Sequence, residues 1–499
     1  MTTEAAAAVS KFSDEQLAAI DTLMQNRVAV LVGPPGSGKT FTLLELVRRV
    51  RASGSVVLIA TPTAAAASAA RLVVQRRATC STADKLVLSS SAPSAHRRFR
   101  GATVIVDETS MASPEMLVDL LNTLRKDGED APCVGRLVAV GDADQLRPVR
   151  AVRVLTELMA AYPTARLTRV FRQNSESALY RNIRRIRSGG MLRVQDLEQD
   201  DSFAVVVVAT DASFDFLAEY IDPTAPLPLT MCFTNEARHA AARVVQQKYN
   251  PDAIEVIDAQ HAGKGAVTGL RLGDPIVCTR NKYAQSDTEE ARALITMGDA
   301  AAAAAATAAA ATKAPSEADA QDAEEQASED EDEEKDDDDA DENEDDGTAE
   351  KGKRDILLVA NGNTGVLQMD ENVLCAKYRT IAPNGYEVDF YDEMNPARDA
   401  TNPFLTKFEQ GYATSVHKAQ GRDHDFVLGV ALTRRRSPQP GLLYTLVSRA
   451  KRRCVLFTND ESLARLTQKP EEPRSAVSWS FHEARSARGK RPRVEEDHE

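Results

Sequence analysis

Short apolar runs recur along the first part of the chain, each followed by a stretch whose apolar residues are spaced for a helix. The runs are Val28–Val32, Val56–Ala60, Thr103–Val106 and Leu137–Val140. They are rich in Val, Ile and Leu and close on small, polar or acidic residues. This pattern predicts buried parallel strands covered by helices. In such sheets, ligand residues lie just past the strand carboxyl ends, so the residues after each run are the ones to examine. A later set, Leu229–Phe233, Phe426–Leu432 and Cys454–Phe457, predicts a second α/β unit interrupted in sequence.

The interruption has two parts. From Asp299 to about Lys353 the chain is first Ala-rich and then acidic; the Ala-rich part is a candidate for transient helix, and the acidic part cannot bury enough apolar surface to fold. Between Ile356 and Phe390, β-forming patches alternate with Gly362, Gly365 and the pair Asn384-Gly385, which predicts a small β-barrel or hairpin module. The expected organisation is therefore a first unit over 1–170, a second over 171–284 and 411–468, a disordered insert over 285–354, a β module over 355–410 and a flexible tail over 469–499.

Charge changes this picture. The 499 residues carry a formal charge of −14, but the stretch Glu317–Glu350 alone holds 21 acidic residues and one lysine. Its local charge of −20 leaves +6 for everything else, a balance that permits a polyanionic partner without demanding one. The six cysteines include no CxxC pair and no zinc-like spacing, which predicts reduced, structural thiols of an intracellular protein. No apolar run is long enough for a transmembrane helix, and Met1–Lys11 lacks the features of a secretory signal, so no membrane association is expected.

The strongest chemical signal is Gly33-Pro34-Pro35-Gly36-Ser37-Gly38-Lys39-Thr40, placed after the first strand and before the helical stretch Phe41–Val50. Glycines here let successive backbone N–H groups turn inward around a phosphate, and the helix N-terminus adds positive potential. Lys39 is suited to the β- and γ-phosphates of ATP and the Thr40 hydroxyl to Mg²⁺. Asp107-Glu108 closes the third run: Asp107 is a candidate Mg²⁺ ligand and Glu108 a candidate base for the attacking water, against the plainer reading of an acidic loop or helix cap. Gln145, in Gly141-Asp142-Ala143-Asp144-Gln145-Leu146 after the fourth run, is a candidate γ-phosphate sensor. These observations point to an NTPase but leave open what the energy drives.

An ordered series of further segments resembles the motifs of superfamily 1 DNA helicases of the RecD-like type, which translocate 5′ to 3′. Phe12-Ser13-Asp14-Glu15-Gln16 resembles the adenine-reading Q motif. Thr61-Pro62-Thr63-Ala64 and Thr79-Cys80-Ser81-Thr82 resemble strand-contact motifs. Val106–Met111 and Gly141–Val149 resemble motifs II and III, and Leu167–Gln173 resembles motif IV. Tyr412–Gly421 and Leu443–Lys451 are similar to motifs V and VI, and Asn361-Gly362-Asn363-Thr364-Gly365 resembles the entry to an SH3-like subdomain. Arg147 stands where a proline is usual, and Asn363-Thr364 replaces the usual Asp-Ile.

The resemblance implies two RecA-like motor domains with an inserted SH3-like module. It also implies that Gln16, Gln420 and Gly421 belong to the nucleotide site. Arg172 and Arg449 become candidate arginine fingers reaching from the second domain to the γ-phosphate. Thr61, Thr63, Ser81 and Thr82, with Thr234 and Asn235 in the second unit, are candidates for gripping DNA phosphates. For His417 a DNA-facing role and a structural one stay open. The implied function is ATP-dependent movement along single-stranded DNA, with action at duplex junctions. An RNA-directed helicase and a nucleotide-gated binding module without motor activity are the alternatives. The acidic insert reads either as a tolerated loop or as a DNA mimic that occupies the chain's own DNA channel or recruits a basic protein partner. Lys490-Arg491-Pro492-Arg493 resembles a nuclear-import signal or else is a solvated charge run.

Overall fold

A computed structural model describes residues 12–74, 77–89, 101–123, 135–146, 154–190, 192, 200–209, 213–253, 255–257, 269–279, 281–286, 288–312, 355–359, 361, 363–370, 373–383, 386–394, 408–432 and 441–459. The acidic run, Arg147, the Asn384-Gly385 pair and the tail with Lys490–Arg493 lie outside the described residues.

The chain enters through α1 (Asp14–Gln25), started by a capping box. The Ser13 hydroxyl accepts the Gln16 N–H, and the Gln16 side chain accepts the Ser13 N–H in return. There follow β1 (Val28–Val32), α2 (Lys39–Ala52), β2 (Val57–Thr61), α3 (Ala64–Val74), β3 (Thr79–Thr82), α4 (Ala83–Ser89), β4 (Thr103–Val106), α5 (Pro114–Thr123), β5 (Arg136–Gly141), α6 (Val154–Ala161) and β6 (Thr164–Arg166). The strands form one parallel sheet in the order β3-β2-β4-β5-β1-β6. Neighbouring residues of a strand enter opposite cores. Leu31, Ile59 and Val138 pack with α2 residues Leu46 and Val47 on one face, and Val30, Leu58 and Val104 pack with Leu120 and Leu155 on the other. Burial on both faces is why these strands read as unbroken apolar runs rather than alternating ones. The apolar pattern does not reveal β3 or β6: β3 is Thr-Cys-Ser-Thr and β6 is three residues long, so neither carries an apolar run.

The second unit opens with α7 (Ala178–Arg187), capped by the Ser177 hydroxyl on the Tyr180 N–H, and with β7 (Phe203–Val207). β8 (Leu229–Cys232) and α8 (Asn235–Tyr249) follow. The chain then departs through β9 (Glu255–Ile257), β10 (Leu270–Arg271), β11 (Pro275–Cys278), β12 (Lys282–Gln285) and α9 (Glu289–Thr312). It continues with β13 (Asp355–Val359), β14 (Thr364–Asp370), β15 (Val373–Ile381), β16 (Glu387–Met394) and β17 (Phe408–Gln410). It returns with β18 (Thr414–Ser415), β19 (His424–Val430), α10 (Leu442–Val447) and β20 (Ala450–Thr458). The second parallel sheet runs β18-β8-β19-β20-β7.

Two expectations change. The β-rich module recruits strands from before the insert: β11 pairs antiparallel with both β14 and β17 in the sheet β16-β15-β14-β11-β17, and β12 pairs with β13. Residues 270–285 thus share the core of the module rather than closing the second unit, because Ile276 and Cys278 pack beside Leu367, Tyr378 and Phe390. Within the span expected to be disordered, Glu289–Thr312 is helical. Alanine has the highest helix propensity, and Leu294 anchors the helix in the module's core. The module also touches the first unit, where the Lys85 ammonium lies 4.8 Å from the centre of the Tyr283 ring. No helix among the described residues is long and apolar enough to cross a membrane.

Candidate nucleotide site and nucleic-acid edge

The glycine loop Gly33–Thr40 joins β1 to α2 at the carboxyl edge of the first sheet. Gly38 precedes α2 with φ of +83°, a conformation that L side chains rarely adopt, and no side chain caps this helix. The free N–H groups at the start of α2 therefore point into the loop, as an anion site needs. The Lys39 ammonium donates back to the Gly33 and Pro34 carbonyls at 2.8 and 3.1 Å. Burial holds its pKa below the usual lysine value, opposed by the charges of Asp142, Glu108 and Asp107. Thr40 is exposed at the first turn of α2.

Asp107 and Glu108 leave β4 beside this loop. Burial, then the Glu108 charge, pushes the Asp107 carboxyl up to about 7, against the Glu108 N–H at 2.8 Å and the Lys39 charge. A buried carboxylate this poorly compensated suits a cation ligand, which fits the Mg²⁺ expectation together with Thr40. Glu108 has φ of +53°, the one left-handed non-glycine residue among those described. Such strain costs about 1–3 kcal/mol and is characteristic of functional positions. The Thr109 hydroxyl ties the two neighbouring strand ends together, donating to Val106 O at 2.6 Å and accepting the Val140 N–H at 3.2 Å.

The loop after β5 is the junction of the two units. Gln145 is buried; its amide donates to the Asp142 carboxylate at 3.4 Å, and its Oε1 has no partner. Asp142 also accepts the Tyr444 hydroxyl of the second unit at 2.9 Å, and burial raises the pKa of both groups. Leu146 belongs to the apolar core of the second unit: its N–H donates to the Thr445 hydroxyl at 2.9 Å, and its carbonyl accepts the Gln420 amide at 3.0 Å. Asp144 pairs with Arg187 of α7 at 2.6 Å. Gly441, with φ of +84°, lies so close to Asp144 O that a side chain at 441 would meet it. Gln420 therefore bridges the units, as does Thr445. Gly421 sits next to it in a left-handed turn, with open space where a side chain would stand.

Arg449 reaches this seam from the second unit. It is buried; its Nε donates to Thr445 O at 3.2 Å, its Nη1 to Arg422 O at 3.4 Å, and its Nη2 has no partner. Burial lowers its pKa, with the Glu108 charge the largest opposing influence, and its own charge lowers that of Lys39. Arg172 differs from expectation. It follows β6 of the first unit: the Phe171 N–H donates to Gly36 O at 2.8 Å, and the Arg172 side chain packs directly on Gly36. The second unit contributes Asp423, whose carboxylate lies 3.4 Å from Arg172 Nη2. Arg172 therefore approaches from the side of the glycine loop, because hydrogen bonding to Val32 and Gly36 keeps the segment 167–171 on the first sheet. A cavity of about 290 Å³ opens across the same seam, between Pro34-Pro35 and Arg184 and Arg187 of α7.

Several expected contacts are used locally. Gln16 Oε1 serves the capping box, while its amide nitrogen faces Gly38. Its neighbour Glu15 grips the expected motif IV, accepting the Thr168 N–H, the Thr168 hydroxyl and the Arg169 N–H. The Thr61 hydroxyl is buried and donates to Thr63 O. The Thr63, Thr82 and Thr234 hydroxyls accept N–H groups at the starts of α3, α4 and α8. Ser81 and Asn235 lie at the same carboxyl edges, Asn235 exposed. His417 is half-buried, and its Nε2 is enclosed without a partner.

The sequence reading missed Tyr444, Glu15, Arg187 and the anchoring of Leu146. Asp142 stood in a quoted segment, but its partner is 302 positions away and no local pattern joins them. Three buried atoms around the loop, Ser37 Oγ, Gln145 Oε1 and Arg449 Nη2, lack protein partners. Donors and acceptors without partners, set around inward-facing amides, fit a bound phosphate chain.

Residues 11–207 match the family described as an AAA domain, and residues 410–457 that described as a UvrD-like helicase C-terminal domain. The ATP-dependent RecD2 DNA helicase of Deinococcus radiodurans is 28% identical over 286 residues, covering 54% of this chain and 36% of that protein. The RecBCD enzyme subunit RecD of Mycobacterium tuberculosis is 32% identical over 174 residues, 30% of this chain and 29% of that one. The chain thus spans about a third of the length of these relatives. In fold it is similar to the Pif1 helicase from Candida albicans, with a TM-score of 0.51 at 14% identity over 92% of this chain and 97% of that one. A Pif1 helicase solved in a study of DNA unwinding at forked duplexes gives 0.50 at 16% identity, over 96% and 98%.

Proposed function

We propose, for a chain that belongs to the RecD-like superfamily 1 helicases, that the seam between its two parallel-sheet units hydrolyses ATP with Mg²⁺ and converts the resulting closure into movement along single-stranded DNA. The observation that carries this reading is Arg449, a buried guanidinium of the second unit within charge reach of Lys39 and Glu108 of the first, with one nitrogen unpartnered. The Deinococcus radiodurans relative is an ATP-dependent DNA helicase, which supports the same reading.

In this reading the inward-facing amides of the glycine loop and Lys39 bind the phosphate chain. Asp107 and Thr40 hold the metal ion, which would neutralise phosphate charge when bound. Glu108 accepts the proton of the attacking water, and Gln145 orients that water or senses the terminal phosphate. Arg449 stabilises the charge that develops on the transferred group, and it does so only when the units are closed. Motif III transmits that closure, since Asp142, Asp144 and Leu146 are each held by the second unit.

Movement is 5′ to 3′ in this proposal, and duplex is unwound as the strand is drawn in at a junction. The basic run Lys490–Arg493 motivates a nuclear setting, and the acidic run a basic protein partner. The test is strand displacement on 5′-tailed and 3′-tailed duplexes, with ATPase rates measured on matched DNA and RNA single strands. Displacement from the 5′ tail alone, abolished by Lys39→Ala, is the expected result. Displacement from the 3′ tail would reverse the polarity. Stimulation by RNA alone would favour the RNA-directed reading, and no stimulation by either would favour a gated binding module.

A further inference from the structure

At the carboxyl edge of the second sheet, side chains outside the nucleotide site converge on one carboxylate. Arg238, in the first turn of α8, places Nη1 2.5 Å from Glu409 Oε2. Lys418, in the turn after β18, places its ammonium 2.9 Å from both Glu409 oxygens. The other Arg238 terminal nitrogen lies 3.0 Å from His239 Nε2, which must accept there and so be the unprotonated ring nitrogen. Arg238 is only 7% exposed, and its Nε is buried with no partner. Arg243 adds a further positive charge near His239. Arg238 and Lys418 therefore face a single carboxylate.

This arrangement is costly as a purely structural device. A buried guanidinium is tolerated when its hydrogen bonds are filled, and here one donor is left unfilled. The geometry is that of an oxyanion site: a guanidinium and an ammonium aimed at a pair of geminal oxygens on one centre. A phosphodiester presents the same pair of oxygens with the same single charge. The site also lies on the edge that carries Asn235 and His417, where the strand is expected to run.

We propose that Arg238 and Lys418 form a binding site for a backbone phosphodiester of the nucleic acid, and that Glu409 occupies it as an internal stand-in when no strand is bound. This rests on the reading that the chain binds single strands. Glu409 is carried by β17, which pairs with β11 of the β module. Displacing it by a phosphate releases the module's ionic hold on α8 and on the turn after β18. Phosphate capture and loosening of the module then become one event, which ties strand entry to the position of the module.

The test is equilibrium binding of a fluorescent oligothymidylate to the full chain over a series of salt concentrations, with thermal unfolding as a check on folding. Lys418 is 46% exposed, so Lys418→Gln leaves the fold intact. It is expected to weaken binding and to reduce the slope of log affinity against log salt by about 0.7, the loss of one single-strand phosphate contact. Glu409→Gln is expected to tighten binding by about threefold to tenfold at low salt, because the competitor loses its charge. In the double variant that gain should shrink. An unchanged slope in Lys418→Gln overturns the proposal while leaving the single-strand reading intact, as does a Glu409→Gln variant that folds normally yet binds no tighter. A wild-type chain that does not bind the oligonucleotide overturns both.

Discussion

The two parallel sheets present the same kind of carboxyl edge but equip it in opposite ways. On the first, chemistry is built from backbone and buried acids: the uncapped start of α2, Asp107, Glu108 and Asp142. On the second, it is built from cations and amides: Arg449, Lys418, Arg238 and Gln420. Neither edge is complete alone. The first lacks a cation for the far side of a phosphate chain, and the second has no glycine loop. The seam between them is where the deficits meet, and what joins them is a loop of the first unit, Asp142–Leu146, whose Leu146 lies in the apolar core of the second. With two bodies that are incomplete apart, completing the site requires moving them.

Substitutions sharpen the contrast, beginning with the largest expected effect. Glu108→Gln removes a proton acceptor from the first edge without altering its shape. The hydrolysis rate should fall by about 10²- to 10⁴-fold with ATP binding retained, measured as kcat against a nucleotide-binding constant. Unchanged kcat would mean that the strained Glu108 backbone serves another purpose.

Tyr444→Phe acts on the joint itself. It deletes the hydroxyl that reaches Asp142 while keeping the ring in the core, so the nucleic-acid-stimulated rate should fall by about tenfold, the size of a charged hydrogen bond. Nucleotide affinity should hold, and Asp142→Asn added to it should cost less than either change predicts by addition. Additive losses would show that the two groups act separately.

Thr234→Ala has the smallest expected effect and tests the second edge. Its hydroxyl caps α8 at 3.1 Å from the Ala237 N–H. Losing the cap costs about 1 kcal/mol, seen as a fall of about 2 °C in the unfolding temperature, with strand affinity almost unchanged. A large loss of affinity without a loss of stability would return Thr234 to the role of a phosphate grip.

How far the sequence could be read follows from the same contrast. The first edge was legible because its chemistry is local: a strand, a glycine loop and a helix stand in order, and Asp107-Glu108 ends a strand in plain sight. Strands buried on both faces also announce themselves as apolar runs. β3 and β6 did not, being polar or three residues long. The membership of β11 in the module was hidden because its partners lie across the acidic insert. The hydroxyls of Thr63, Thr82 and Thr234, candidates for phosphate contact, also cap helices, a use that residue type alone does not reveal. Arg172 was assigned to the wrong side of the cleft because motif IV lies at the crossover between units, and only its hydrogen bonds show which sheet it follows. The bond between Asp142 and Tyr444 spans too much sequence to be seen locally.

In this molecule a cation of the second edge would complete the site of the first. Arg449→Ala measures this most directly, through single-turnover ATP hydrolysis with saturating single-stranded DNA alongside a nucleotide-binding titration. A loss of about 10³-fold or more in the hydrolysis step is expected, with nucleotide affinity changed by only a few-fold. Hydrolysis at near the wild-type rate would contradict it, since the first edge would then be sufficient by itself.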